Sequence, residues 1–128
     1  MITQTNCPFC ALSASRIIEC NSVGVVIRDA HPISHGHTLV IPVRHVASFF
    51  DITEAEREGL MSLLFNAKRR IDAESSPKGY NIGVNDGAAA GQTVPHLHLH
   101  LIPRYDGDLQ DPRGGVRWVL PKKAKYWP

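Results

Sequence analysis

The sequence has no apolar run near the roughly 20 residues that a membrane-spanning helix requires. Its opening, MITQTNCPFC, has neither the basic start nor the apolar stretch of a secretory signal. These absences argue against a membrane protein and point to the cytoplasm, where thiols stay reduced. An excess of one charge is missing too: 14 Lys plus Arg face 12 Asp plus Glu, a net +2. A dedicated nucleic-acid-binding surface usually shows a strong basic excess, so nucleic acid is not an expected partner. There is no repeat, low-complexity tract or internal linker. With 43% apolar and 20% charged residues the composition is that of a globular protein, not a disordered one. The length suits a single domain over residues 1–128, large enough to bury a core without disulfides.

What the chain does have is histidine: seven in 128 residues, three of them within five positions. Around them the pattern predicts short strands and one helix. Val23–Ile27 (VGVVI) and Thr38–Ile41 (TLVI) read as strands separated by the turn-rich DAHPISHG, and Pro42 limits the second. Thr53-Glu54-Ala55-Glu56 has capping-box spacing. Leu60, Leu63, Leu64, Ala67 and Ile71 then recur on one helical face. Lys68, Arg69 and Arg70 are expected in the last turns, where they suit the helix dipole. Tyr80–Val84 and His96–Ile102 read as two further strands, the last stopped by Pro103. Strands before and after a single helix predict an α+β fold with a mainly antiparallel sheet.

The stretch His96-Leu97-His98-Leu99-His100-Leu101-Ile102 is the most informative. Strand side chains alternate, so the three histidines share one face and the three leucines enter a core. Imidazoles roughly 7 Å apart along a strand are poor packing material. One reading is an edge strand with incidental polar residues. A second is a metal site, since histidines two apart on a strand can share an ion. A third is nucleophilic catalysis at phosphorus, in which an imidazole attacks a phosphoanhydride and water opens the resulting phosphoramidate. The preceding loop favours the third: Asn85, Gly87, Gly91, Gln92 and Thr93 combine mobile backbone with uncharged donors that suit phosphate oxygens. No acidic cluster lies nearby to hold Mg²⁺, so no Mg²⁺ requirement is expected.

At these residues the chain resembles the histidine-triad family, whose signature is His-φ-His-φ-His-φ-φ with φ apolar. The likeness runs from about Cys7 to Arg104, leaving 105–128 as a C-terminal tail. Asn85-Asp-Gly-Ala-Ala-Ala-Gly-Gln-Thr-Val-Pro and Pro103-Arg104 look like the fragile-histidine-triad and dinucleoside-polyphosphate-hydrolase branch. His35-Gly36-His37-Thr-Leu-Val-Ile-Pro42 resembles the family's upstream element. The resemblance implies hydrolysis of a nucleotide phosphoanhydride, with diadenosine polyphosphates the leading substrates and nucleoside phosphoramidates the alternative. A binding or signalling module with incidental hydrolysis is the rival from another class. It implies His98 as the nucleophile, His100 as a donor to phosphate, and His37 as their support. It implies Asn85, Gln92 and Thr93 as phosphate or leaving-group contacts. It implies Asp29 as the ribose contact, flanked by Ile27 and Ala30 near the base. It also implies a two-fold homodimer with the sheet continued across the interface.

Cys7-Pro8-Phe9-Cys10 has metal-knuckle spacing, which alone is open between zinc, redox use and unpaired thiols. Some bacterial histidine-triad proteins resemble this chain in carrying an N-terminal CxxC. There zinc is completed by a histidine after the second strand and by the first triad histidine. The matching residues are His45 and His96, which implies a structural Zn²⁺ on Cys7, Cys10, His45 and His96. A ligated imidazole has no free lone pair, which would keep His96 out of the chemistry. Cys20 is expected to be a packed thiol, and His31 and His35 loop histidines. In the tail, Arg113, Arg117, Lys122, Lys123 and Lys125 either meet the outer phosphates of a long substrate or sit in solvent. Trp118 and Trp127 either stack on a base or anchor the tail.

Overall fold

The computed structural model describes residues 6–128. The strands are β1 (Ile17–Cys20), β2 (Gly24–Arg28), β3 (Thr38–Pro42), β4 (Gly79–Gly83) and β5 (Leu99–Arg104), with a long helix α1 (Glu54–Ser75) between β3 and β4. A short α2 (Pro121–Ala124) lies in the tail. The strands form one sheet in the order β1-β2-β3-β5-β4, and every pairing is antiparallel. This is the expected α+β architecture. No helix of the described residues is long and apolar enough to cross a membrane.

Alternation assigns the two faces of the sheet. Val26, Val40, Leu97, Leu99 and Leu101 point to α1 and pack with Leu60, Leu63, Leu64, Ala67 and Ile71. Full burial of each valine, leucine or isoleucine among them contributes about 1.5–3 kcal/mol. On the other face Ile27, Leu39 and Ile41 pack with Phe9, Leu12, Ile17 and Val25. That smaller cluster has His98 and His100 beside it, with Phe9 on the His98 ring and Leu39 paired opposite His100. Helix and sheet approach closely at Gly24, where a Cβ would stand 2.7 Å from the Leu60 side chain and 3.0 Å from the Ile41 carbonyl.

Thr53 caps α1 as expected. Its hydroxyl accepts from Glu56 N–H at 3.1 Å, and the Glu56 carboxylate accepts from Thr53 N–H at 2.8 Å. The same carboxylate takes Arg44 in a two-pronged pair at 2.8 and 3.0 Å, tying the segment after β3 to the helix start.

Four expectations need correction. First, β1 was not anticipated. Second, β5 begins at Leu99, not His96, and passes through Pro103. Arg104's carbonyl accepts from Lys78 N–H. Arg104 therefore faces β4, and the backbone nitrogen of Pro103 faces the other way, past the β3 ladder, which ends at the Thr38–Leu101 pair. The missing N–H costs no ladder bond there. Third, the last turn of α1 holds no basic residue. Lys68 pairs instead with Asp72, Arg70 with Glu19, and Arg69 donates to Asn66. Fourth, Cys20 is exposed at the end of β1.

Candidate active site and metal centre

The site lies on the sheet face away from α1, where β5 meets the turn after β2. Gly36 has φ of 92°, a left-handed conformation that glycine adopts without strain, and it delivers His37 to β3. His37 is buried. Its Nε2 stands 2.9 Å from His100 Nδ1 and 3.4 Å from a carboxylate oxygen of Asp29. The other Asp29 oxygen accepts from His31 N–H at 2.8 Å.

Backbone groups fix the proton on each ring. Ile33 N–H donates to His37 Nδ1 at 3.2 Å, so the neutral ring carries its proton on Nε2. That N–H donates to His100 Nδ1, so His100 carries its own proton on Nε2. In His98 the Nδ1 lies 2.8 Å from the His96 carbonyl, which can only accept. His98 is therefore protonated on Nδ1 and has its lone pair on Nε2. Burial holds both His37 and His100 below the ordinary imidazole value. Asp29 pulls both upward, and His98 and His37 push His100 further down. With the rings neutral, the face offers one imidazole lone pair at His98 and one imidazole donor at His100.

His96 looks elsewhere. It has no exposed surface, and its Nε2–H donates to the Pro42 carbonyl at 2.8 Å. Its Nδ1 lone pair then meets Cys7 Sγ at 3.4 Å, Cys10 Sγ at 3.5 Å and His45 Nδ1 at 3.2 Å. His45 Nδ1 is also 3.2 Å from Cys10 Sγ. The three cysteines form no disulfide. A tetrahedral ion with Zn–N and Zn–S bonds of about 2.0–2.3 Å has ligand–ligand edges of roughly 3.3–3.8 Å. The four donors fit such an ion, and the Cys₂His₂ chemistry is that of a closed zinc site.

The remaining expected residues divide. Asn85 and Thr93 are exposed on the loop before β5. Gln92 is turned inward: its amide oxygen accepts from Gly87 N–H, and its nitrogen donates to the Ala47 and Val94 carbonyls. It shapes the loop, and both ends of its amide are engaged. Ile27 has no exposed surface, so it supports this face from beneath. Ala30, His31 and His35 are exposed on the turn. Two residues were missed. Asp86 accepts from Ser48 and from Phe49 N–H, pinning the loop to the segment before α1. Phe9 packs on both His96 and His98. Nothing local in the sequence marks either contact.

The tail folds on itself. Arg113 pairs with Asp111 and stacks over Trp127, with 4.7 Å from its guanidinium carbon to the ring centre. Arg117 stacks over Tyr126 and donates to the Ala124 and Lys123 carbonyls. Trp118 donates to the Arg113 carbonyl. The two arginines are thus engaged within the tail, and both tryptophans act as its internal packing.

The HIT domain family matches residues 12–107, and the chain belongs to that family. Among relatives, the asymmetrical bis(5'-nucleosyl)-tetraphosphatase of Schizosaccharomyces pombe is 42% identical over 97 residues, which are 76% of this chain and 53% of that protein. A HIT family protein of Bacillus anthracis has a crystal structure that superposes with TM-score 0.75 at 35% identity, covering 83% of this chain and 78% of that one. A structure described as a Zn-bound histidine triad family protein, from Mycobacterium smegmatis, gives TM-score 0.68 at 39% identity, over 83% and 80% of the two chains.

Proposed function

We propose that the protein hydrolyses a nucleotide phosphoanhydride through a nucleotidyl-histidine, with diadenosine polyphosphates as the substrate class. The observation that carries this reading is the His98 Nδ1–H bond to the His96 carbonyl, which leaves the Nε2 lone pair free for attack. The polyphosphate activity named for the S. pombe relative supports the substrate class. His98 Nε2 bonds to the α-phosphorus as the bridging P–O bond breaks, and the leaving nucleotide keeps that electron pair. Water then attacks the same phosphorus, the P–N bond breaks, and the lone pair returns to His98 as water's proton passes to solvent. The His100 Nε2–H donates to a phosphate oxygen and stabilises developing charge, with His37 fixing its tautomer. Asp29 accepts from the ribose hydroxyls. Asn85 and Thr93 contact phosphate, and Gln92 holds their loop.

In this reading Cys7, Cys10, His45 and His96 hold Zn²⁺ in a structural role, as the description of the M. smegmatis structure as Zn-bound supports. The chain works as a cytoplasmic single-domain homodimer whose sheet extends across a two-fold axis.

Product analysis with diadenosine tetraphosphate tests the reading. The wild type is expected to release AMP, and His98→Ala to lose turnover by about a thousandfold or more while still binding nucleotide. Cleavage of an adenosine phosphoramidate but not the tetraphosphate would make the phosphoramidate the substrate. Nucleotide binding without cleavage of either would make the protein a binding module.

A further inference from the structure

Phe9, one of the two residues between Cys7 and Cys10, is neither a candidate metal ligand nor a histidine of the row, yet it touches both His96 and His98. The Cys7 carbonyl accepts from Cys10 N–H at 3.2 Å and from Ala11 N–H at 3.1 Å, so the segment turns tightly around Pro8 and Phe9. The turn brings both sulfurs to His45 and His96. It also lays Phe9 onto the sheet, among the apolar residues beside β5. There the Phe9 ring centre is 4.9 Å from that of His98, tilted by 55°, and 5.9 Å from that of His96, edge-on at 83°.

A histidine ring held by one hydrogen bond still swings about a broad χ2 well. The bond from His98 Nδ1 fixes the tautomer and one edge of the ring. A flat hydrocarbon face at packing distance restrains the swing that remains. We propose that Phe9 is a positioning residue for the His98 nucleophile, and that the cysteine turn holds it there. The segment that supplies half of the metal ligands thereby also aims the attacking nitrogen. This inference rests on the assignment of His98 as nucleophile.

The test compares wild type with Phe9→Ala and Phe9→Leu, both of which keep all four metal ligands. Metal content, measured by elemental analysis, is expected to match the wild type. Rapid-quench formation of the nucleotidyl-enzyme is expected to slow about tenfold to a hundredfold in Phe9→Ala, the scale set by a small misplacement of a reacting atom. Phe9→Leu should recover most of the rate. Nucleotide affinity should change little and equally for adenine and guanine nucleotides. The His98 Nδ1–H resonance, assigned by its loss in His98→Asn, should be sharp in wild type and broadened by exchange in Phe9→Ala. That last readout needs no turnover. If the resonance broadens although the wild type forms no nucleotidyl-enzyme, the positioning stands and the nucleophile assignment falls. An unchanged resonance overturns the inference. So does a rise in KM that depends on the base with the covalent step intact, which would make Phe9 a wall of the base pocket. Loss of metal in both variants would also overturn it, leaving Phe9 a prop for the cysteine turn alone.

Discussion

His37 and His100 share a single proton between facing nitrogens, and the Ile33 amide blocks the remaining nitrogen of His37. Protonating either ring would cost one of these bonds. Burial reinforces the preference and holds both below the ordinary value near 6.5. On unfolding both return to that value, so below about 6.5 the unfolded chain binds more protons than the folded one. Their contribution to stability is full above about pH 6.5 and declines as pH falls through the lowered values. Thermal unfolding at stepped pH should show Tm falling from pH 7 to 5, with a shallower fall in His37→Gln. The acid limb of kcat/KM should move to lower pH in Asp29→Asn, because Asp29 raises both imidazoles. A limb that moves upward would contradict this account.

At the scale of elements, Glu56 links two pieces of chain, the start of α1 and the segment after β3. It closes the cap of α1 at Thr53 and holds Arg44, which precedes His45 in the chain. Arg44→Ala leaves a nearly buried carboxylate with only the Thr53 amide, which should lower stability by about 1–3 kcal/mol in urea titration. Metal affinity should weaken in parallel, which a chelator competition would read. The cap itself was legible in the sequence because it is local: four residues carry both bonds. The His-Leu alternation was legible for the same reason: a period of two carries Leu97, Leu99 and Leu101 into one core, although only Leu99 and Leu101 lie in β5. β1 escaped notice because IIEC is short, lies at the sheet edge and is interrupted by a register shift. The passage of β5 through Pro103 depends on where a neighbouring strand stops, which no local pattern encodes. Phe9 lies nearly ninety positions from the imidazoles it touches, and Gln92 could not reveal from spacing alone that its amide faces inward.

Over the whole molecule, the four candidate ligands join three distant segments: the N-terminal turn, the stretch after β3 and the approach to β5. An ion there closes long loops that the sheet closes only in part. Chelation is expected to lower Tm by roughly 10 °C or more, and restored zinc to reverse it. Differential scanning fluorimetry before and after chelation checks this, with bound metal counted in the same samples. An unchanged Tm on complete metal removal would show the sheet and helix to be sufficient on their own. The tail needs no such closure, because its arginines and aromatic rings pack on one another.

His96 presents three polar atoms to five neighbours: Nδ1 to Cys7, Cys10 and His45, Nε2 to Pro42, and its carbonyl to His98. The carbonyl is common to every amino acid, but its placement depends on the other two contacts. Cysteine would return a ligand atom and leave the Pro42 carbonyl without its donor. Asparagine and glutamine have an amide that can donate, but no imidazole nitrogen to offer an ion. Position 96 should therefore tolerate no exchange at all in a saturation library, whereas the exposed Asn85 and Thr93 should accept several. A change at position 96 would therefore withdraw a candidate metal ligand and loosen the carbonyl that holds His98 in the same step, so a single codon carries both.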